Sequence, residues 1–313
     1  MNDNLKIFSS GANTPLAKEI CNHIGIPLSQ IEISRFSNDN LFVQVQESVR
    51  EKDVFVVQSL THPASDHIMA LMLTLDALRS ASARRVTAVI PYYSYARSDK
   101  KDAPRISIAG RLIADLLKTA GADRILTMDL HSDSVHGFFS MPVDHLTAVP
   151  TICDYFANSL DLAQVVVVAT DAGGAKRAGR FAERLKTSMA IIDKRRISDS
   201  DVKQGLVVGD VEGKDAIVFD DEISTGSTLV ATVQTLEKAG VRKIYVGATH
   251  PVLCGNAVKN LKTSPITEIV VSNTVYIPKE KLFPKLRILS MGSLFSQAIL
   301  RIHTGESVSA LFE

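Results

Sequence analysis

Two kinds of binding group stand side by side in the stretch FDDEISTGSTL, residues 219–229. Its second half, 224–228, follows a predicted strand and offers hydroxyls, a permissive glycine and the free amides of a helix start, which together favour a phosphate. Asp220 and Asp221 precede it, and adjacent carboxylates accept hydrogen bonds from vicinal hydroxyls or hold Mg²⁺. The stretch therefore predicts a sugar phosphate as its ligand. The alternative is a surface turn with Ser and Thr caps.

A second predicted strand-to-helix turn is TDAGGAKRAGR, residues 170–180. Gly173 and Gly174 allow backbone amides to approach an anion, and the three basic residues within 176–180 add positive charge. The turn suits a pyrophosphate or a triphosphate. The alternative is a tight connection before a solvated basic helix face.

Three cations in succession end a predicted strand in DKRR, residues 193–196. Alternation along a strand places Lys194 and Arg196 on one face, so both could meet one ligand. A solvent-exposed strand end is the alternative interpretation.

Basic and aromatic residues are interleaved in PYYSYARSDKKDAPRIS, residues 91–107, which links a predicted strand to a predicted helix. Arginine offers bidentate contacts to phosphate and tyrosine rings offer faces for a base, so a nucleotide could be clamped here. A mobile connection without function is the alternative. The residues concerned are Tyr92, Tyr93, Tyr95, Arg97, Lys100, Lys101 and Arg105.

Asp129, His131 and Asp133 occupy alternate positions where another predicted strand ends, in TMDLHSDSVHGFF, residues 127–139. This spacing could direct an acid and an imidazole toward one metal-bound phosphate. His136 has no comparable arrangement and is predicted to be structural, as a lone His131 would be.

Short β-branched segments alternate with amphipathic ones along the chain, which predicts parallel sheets with helices on both faces. The predicted strands are 53–59, 84–93, 124–130, 164–171, 189–195, 215–221 and 243–249, and the predicted helices are 65–82, 107–120, 175–187 and 228–239. Ligands of such sheets bind beyond the carboxyl ends of the strands. All the polar clusters above are predicted to lie there.

Two domains are expected from a chain of 313 residues, at roughly 150 residues each. The order strand, helix, strand with a basic end, strand with an acidic end occurs in 53–133 and again in 164–222. This repeated order predicts a duplicated α/β domain with a boundary near residues 145–150.

Composition narrows the classes of function. The chain is 45% hydrophobic and 22% charged with a net charge of +1, so disorder, nucleic-acid binding and membrane binding are not expected. Cys21, Cys153 and Cys254 are far apart and odd in number, which favours reduced thiols. No signal-like N-terminus and no apolar run near the ~18 residues of a membrane span is seen, so a cytoplasmic location is expected.

Eight segments in order resemble the ribose-phosphate pyrophosphokinase family, the phosphoribosyl pyrophosphate synthetases. They are RFSNDN with VQVQESVREKDVFVVQS, PYYSYARSDKKD, MDLHSDSVHGFF, DAGGAKRA, DKRR, DDEISTGST, ATHPVL and RIHTGESVSALF. The resemblance implies an α/β fold of two tandem phosphoribosyltransferase-type domains, 1–147 and 148–313, each a mainly parallel sheet flanked by helices. The tail after about residue 290 would pack back on the first domain.

The same resemblance implies Mg²⁺-dependent transfer of the pyrophosphoryl group of ATP to the 1-hydroxyl of ribose 5-phosphate, releasing AMP. The second domain would bind the sugar phosphate and the pyrophosphate. Ribose 5-phosphate would contact Asp220, Asp221, Ser224, Thr225, Gly226, Ser227 and Thr228, and pyrophosphate would contact Asp171, Ala172, Gly173, Gly174, Ala175 and Lys176.

The first domain would bind ATP, and Lys194, Arg196 and His131 would be catalytic. By the family pattern, Lys194 and Arg196 stabilise charge on the transferred β-phosphoryl group. The implied ATP residues are Phe36, Asn38, Asn40, Arg97, Ser98, Asp99, Lys100, Lys101, Asp102 and His131, and the implied metal ligands are Asp129, His131, Asp171, Asp220 and Asp221.

The resemblance further implies homo-hexamers and control by phosphate and ADP, for which Ser48, Arg50, Ser307 and Ser309 match the family's regulatory positions. Four positions depart from the family pattern. Asn38 and Asn40 stand where two carboxylates are usual, and Ser140 and Ser224 each replace a usual acid. The link 102–106 is also shorter than in the common form of the family.

Two alternatives remain open. A phosphoribosyltransferase would share the loop at 220–228 but would not need DKRR or the segment 91–101. A non-catalytic regulatory homologue is suggested by the four departures and opposed by the retained acids and cations.

Overall fold

The computed structural model describes residues 4–193 and 205–312, which form two compact units. Unit 1 comprises Met1–Thr147, Thr274–Tyr276 and Ser290–Glu313, and unit 2 comprises Ala148–Asn273 and Ile277–Leu289. Each unit has its own buried core and its own sheet.

The strands are short and rich in β-branched residues. They are β1 (Leu5–Ser9), β2 (Ile31–Arg35), β3 (Leu41–Val45), β4 (Asp53–Val57), β5 (Arg85–Ile90), β6 (Arg124–Met128), β7 (Val143–Leu146), β8 (Val165–Ala169), β9 (Ser188–Asp193), β10 (Leu206–Val208), β11 (Asp215–Ile223), β12 (Lys243–Pro251), β13 (Glu268–Ser272) and β14 (Leu286–Leu289).

The helices cover the faces of the sheets. They are α1 (Thr14–Ile24), α2 (Ala64–Ser80), α3 (Ala109–Ala120), α4 (Asp133–His136), α5 (Val149–Ser159), α6 (Ala175–Leu185), α7 (Ser227–Lys238), α8 (Ala257–Thr263) and α9 (Gly292–Thr304).

Unit 1 is built on a parallel sheet in the order β1, β4, β5, β6, β7, with the antiparallel hairpin β2–β3 beside it. β4 is buried along its whole length, as expected for a strand covered on both faces. β5 and β6 are neighbours, with Ile90 opposite Thr127. The segments that follow these two strands therefore start side by side.

Unit 2 is built on a sheet in the order β10, β9, β8, β11, β12, β13, β14, parallel except for β10. β8 and β11 pair at its centre, with Ala169 opposite Phe219. The ring of Phe219 stacks on that of Phe181 from α6 at 4.1 Å, which packs this helix over the two strands. The two turns that follow β8 and β11 consequently lie together.

The predicted α/β fold is confirmed, and each predicted strand and helix occurs with ends shifted by a few residues. Two shifts matter for the site. β11 continues to Ile223, because β12 runs beside it and Glu222 pairs with His250. β6 stops at Met128, because Asp129 has a φ of 38°, so the predicted alternation of Asp129, His131 and Asp133 along a strand is wrong. Within the described ranges, no helix is long and apolar enough to span a membrane.

Candidate active site

A pair of carboxylates near the end of β11 forms the centre of the candidate site in unit 2. Asp221 is 2% exposed, and Asp220 beside it is half-buried. Nη1 of Arg177, in the first turn of α6, donates to Oδ1 of Asp220 and to Oδ1 of Asp221, each at 2.8 Å. Thr170 at the end of β8 donates its hydroxyl to Oδ2 of Asp220 at 3.2 Å. The sheet thus brings the turn that follows β8 into contact with the two acids of β11.

The two acids influence each other. Burial and the neighbouring Asp221 carboxylate raise the pKa of Asp220 to about 7. The Arg177 guanidinium acts in the opposite direction by favouring the ionised form. A further cation bound beside the two carboxylates would therefore stabilise their ionised forms.

The donor set fits Mg²⁺ only in part. Among the residues that the structure describes, no group of three or more His, Cys, Asp and Glu side chains could hold a metal ion. Mg²⁺, however, typically takes one or two protein carboxylates and completes its shell with water and substrate phosphates. Asp220 and Asp221 supply such a pair, which fits an ion that arrives with a phosphate ligand better than one enclosed by protein.

The turn between β8 and α6 is closed by one of its own acids. Oδ1 of Asp171 accepts a hydrogen bond from the backbone N–H of Gly174 at 2.9 Å. A Cβ atom at Gly173 would lie 3.2 Å from that same oxygen, so the tight turn favours glycine there. Ala172 and Lys176 are exposed around it, and Ala175 begins α6. The helix start and its amides are thus presented at the edge of the sheet, as the sequence predicts for an anion site.

The loop between β11 and α7 is the predicted phosphate loop. Gly226 has a φ of 73°, a left-handed conformation that favours glycine. The hydroxyls of Thr225 and Ser227 lie 2.9 Å apart, and Thr225, Ser227 and Thr228 are all exposed. The loop therefore presents hydroxyls and the amides of the first turn of α7 to solvent.

Support for this loop comes from Cys254 and Asn260, to which the sequence analysis gave no role at the site. Ser224 O accepts from the backbone N–H of Cys254 at 3.1 Å, and Oγ of Ser224 lies 3.1 Å from Sγ of Cys254. The side-chain amide of Asn260 in α8 donates to Thr225 O at 3.3 Å. The only earlier signal was the family-like segment 248–253 just before Cys254. The side chain of Ser224 is thus held by the thiol of Cys254.

We predict that Cys254 is the thiol that reacts first with N-ethylmaleimide, by about tenfold or more. Cys21 and Cys153 are buried, so the reagent reaches them poorly. Burial also raises the pKa of Cys21 to about 11 and that of Cys153 to about 12, so both thiols stay protonated at pH 8. Cys254 is half-buried. Peptide mass spectrometry of briefly labelled protein would measure the three rates. Cys254→Ser is the control that should lose the fast label, and equal rates for all three would contradict the prediction.

In unit 1 the segment between β5 and α3, residues 91–108, has no regular secondary structure but is well anchored. Tyr93 is 3% exposed, donates its hydroxyl to Gly110 O at 2.8 Å and packs on Phe139. Its ring therefore cannot offer a face to a base, which corrects one expectation, whereas Tyr95 is 44% exposed. Oγ of Ser98 donates to Ser107 O at 3.0 Å and accepts from Ala109 N, tying the segment to the start of α3.

The turn after β6 carries Asp129 and His131 and lies beside that segment. Asp129 adopts its φ of 38° while its N–H donates to Leu146 O on β7. The N–H of Leu130 donates to Nε2 of His145 at 2.9 Å. A positive φ is uncommon outside glycine, and aspartate, like asparagine, is one of the residues that adopt it in turns. Oδ2 of Asp99 meets this turn through Ser132 at 2.6 Å.

The hairpin β2–β3 carries the remaining nucleotide candidates. Phe36 is 56% exposed at its tip, with its ring 5.5 Å from that of Phe42. Oδ1 of Asn38 accepts from the N–H of Asn40, so this amide shapes the turn itself. The exposed ring suits stacking on a base.

Other predicted residues are placed as follows. Lys100, Lys101 and Asp102 are exposed on the segment 91–108. The candidate regulatory residues are exposed in unit 1; they are Ser48, Arg50, Ser307 and Ser309. Lys194 and Arg196 lie outside the described residues.

Two family profiles match the chain. The one described as the N-terminal domain of ribose phosphate pyrophosphokinase covers residues 5–121, and the phosphoribosyl synthetase-associated domain covers residues 197–313.

Named relatives match the chain nearly end to end. A ribose-phosphate pyrophosphokinase of Deinococcus radiodurans is 52% identical over 98% of this chain and 98% of its own length. One of Bacillus subtilis is 43% identical over 99% and 97%. The crystal structure of a phosphoribosylpyrophosphate synthetase from Mycobacterium smegmatis superposes with a TM-score of 0.92 at 38% identity, covering 97% of this chain and 100% of that one. The predicted enzyme class is confirmed, and the chain belongs to the ribose-phosphate pyrophosphokinase family.

Proposed function

We propose that the chain transfers the pyrophosphoryl group of ATP to the 1-hydroxyl of ribose 5-phosphate, giving 5-phosphoribosyl 1-pyrophosphate and AMP. One observation carries this proposal. The acids Asp220 and Asp221 lie near the end of β11, which leads into the hydroxyl-rich loop 224–228, and Arg177 links both acids to the glycine turn after β8. One ligand with hydroxyls at one end and a phosphate at the other matches this order of groups.

In the proposed complex each group has a separate task. Asp220 and Asp221 accept hydrogen bonds from the ribose hydroxyls, and residues 224–228 hold the 5-phosphate through hydroxyls and amides. The turn 171–176 receives the pyrophosphoryl group as it is transferred. Arg177 keeps the two carboxylates oriented by its pair of 2.8 Å contacts.

The chemical step is an in-line displacement. The 1-hydroxyl oxygen forms a bond to the β-phosphorus, the bond between that phosphorus and the α,β-bridging oxygen breaks, and the hydroxyl proton is lost as AMP leaves. Such transfers depend mainly on positioning and on stabilising negative charge, so no strong general base is required. We assign that stabilisation to Lys194 and Arg196, with His131 assisting on the ATP side.

In unit 2 Mg²⁺ would be held by Asp220 and Asp221, with Asp171 as a further proposed contact. In unit 1 the proposed ligands are Asp129 and His131, and the bound ion would neutralise charge on the phosphates. Because no group of three or more His, Cys, Asp and Glu side chains among the described residues could hold the ion, we infer that it enters with its phosphate ligand.

ATP is assigned to unit 1. Phe36 would stack on the base from the hairpin tip, and the cations of the segment 97–101 would contact the triphosphate. Asn38 and Asn40 stand at the hairpin where the family usually has acids, so the base preference and the affinity for ATP are to be measured and not taken from the family. We also propose homo-hexamers and control by phosphate and ADP through Ser48, Arg50, Ser307 and Ser309.

One steady-state assay tests this function. With Mg²⁺, ATP and ribose 5-phosphate, AMP should form only when the sugar phosphate is present, and the rate should change on adding phosphate or ADP. Replacing ATP by GTP, CTP or UTP would measure the donor preference. Nucleotide formation from 5-phosphoribosyl 1-pyrophosphate and a free base would instead favour a phosphoribosyltransferase. Ribose 5-phosphate binding without AMP formation would favour a regulatory homologue.

A further inference from the structure

Asp99 turns toward a neighbouring turn, unlike the residues that flank it. Its Oδ2 accepts from Oγ of Ser132 at 2.6 Å and from Oγ of Ser134 at 3.2 Å. The two serine hydroxyls are themselves 2.6 Å apart. Lys100 and Lys101, the next two residues in the chain, are exposed. The acid therefore joins two segments that follow neighbouring strands, β5 and β6.

Only two of these three contacts can be hydrogen bonds at any one time, because the two serine hydroxyls have one proton each to donate. The two short distances select an order in which Ser134 donates to Ser132 and Ser132 donates to Asp99. Hydrogen bonds in such a chain strengthen one another, and the one to a carboxylate is charge-assisted. Ser132 is then the central member, and the longer contact of Ser134 is secondary.

The protonation of Asp99 is consistent with this order. Burial acts to raise the pKa of Asp99, but hydrogen bonding to the carboxylate, above all from Ser132, outweighs it and leaves the pKa below its usual value. The carboxyl is thus an ionised acceptor at neutral pH, as a charge-assisted bond needs.

Several contacts hold the segment 91–108. Tyr93 fixes its start, and Ser98 ties it to Ser107 and to α3. Asp99, next to Ser98, reaches the turn after β6 through Ser132, and this turn carries Asp129 and His131 two residues apart. A contact that fixes the segment 91–108 on this turn therefore also fixes the distance of the segment's cations from Asp129 and His131.

We propose that Asp99 is a positioning residue and not a ligand of ATP: through Ser132 it holds the cations of 97–101 against the turn 129–134. This inference rests on the proposed ATP role of unit 1 and changes the task of Asp99 within it. Losing the link should loosen the segment and weaken ATP binding, while ribose 5-phosphate binding in unit 2 is unaffected.

Limited trypsin digestion tests the link without any assay of activity. Arg97, Lys100, Lys101 and Arg105 are trypsin sites within the segment, and Ser132→Ala leaves all of them unchanged. In the absence of nucleotide, Ser132→Ala should be cut there roughly threefold to tenfold faster than the wild type. Ser132→Thr keeps the hydroxyl and should restore the slow rate. Ser159→Ala is the matched control. It removes a serine hydroxyl in unit 2, outside the segment 91–108, that donates to the backbone oxygen of Tyr155.

Kinetics of the same variants complete the test. Asp99→Ala, Ser132→Ala and their double variant should each raise KM for ATP by a similar factor, roughly threefold to tenfold, with KM for ribose 5-phosphate unchanged. A much larger effect of Asp99→Ala that adds to that of Ser132→Ala would show direct contact with ATP and overturn the proposal. Equal rates of trypsin cleavage in Ser132→Ala and in the wild type would also overturn the proposal. This readout does not require activity, so it applies even if the protein forms no AMP.

Discussion

Asp221→Asn should lower kcat/KM for ribose 5-phosphate by about 100-fold or more. Asp221 is 2% exposed and shares Nη1 of Arg177 with Asp220, so its charge is buried and paired. Truncating one partner of a buried, hydrogen-bonded charge pair in a binding site costs about 2–5 kcal/mol of binding free energy, and 1.4 kcal/mol is a factor of ten. Asparagine keeps the size of the side chain but can neither balance the guanidinium fully nor hold a cation at this position.

Steady-state kinetics with ribose 5-phosphate varied at saturating ATP would measure this loss. Asp210→Asn is the matched control, because it is the same substitution in unit 2 at an exposed residue paired with Lys214. Retained ATP binding and an unchanged circular dichroism spectrum would show that the variant is folded. A kcat/KM within twofold of the wild type would contradict the assigned role of Asp221.

Several strands were predictable because, being buried, they leave an unmixed apolar signal. β4, β8 and the first half of β11 are covered on both faces, so their short β-branched runs stand out in the sequence. β7, at an edge of the sheet of unit 1, has four residues of mixed exposure and gave no such signal. The continuation of β11 through both acids depends on β12 lying beside it, which the sequence of β11 does not contain.

The candidate site was predictable as a set of loops but not as a set of contacts. Glycines, hydroxyls and charges after the strands marked the turns 170–176 and 220–228, because local chemistry suffices there. The bond from Arg177 to Asp221 spans 44 positions and the contact of Ser224 with Cys254 spans 30, so both arise from the order of strands in the sheet. Tyr93 shows the opposite error, since its burial depends on packing against Phe139.

Lys194→Ala should lower kcat by about 100-fold to 1,000-fold while changing KM for ATP far less. Lys194 lies outside the described residues, and its place in the sequence carries the argument. It follows Asp193, the last residue of β9, and β9 pairs with β8, whose own end leads into the turn 171–176. A cation that stabilises negative charge mainly in the transition state raises kcat. A group that binds ATP equally well in the ground state and in the transition state instead lowers KM.

Rapid-quench measurement of AMP in a single turnover, with ATP affinity determined by titration calorimetry, separates these two effects. Lys194→Arg keeps the charge and should retain more activity than Lys194→Ala, although a guanidinium differs from an ammonium in shape and donor geometry. Lys238→Ala, at the exposed end of α7 in the same unit, is the matched control and should leave kcat unchanged. Unchanged turnover in Lys194→Ala would remove this residue from the mechanism. A loss confined to ATP affinity would make it a binding group, and charge stabilisation would then fall to Arg196 alone among the assigned cations.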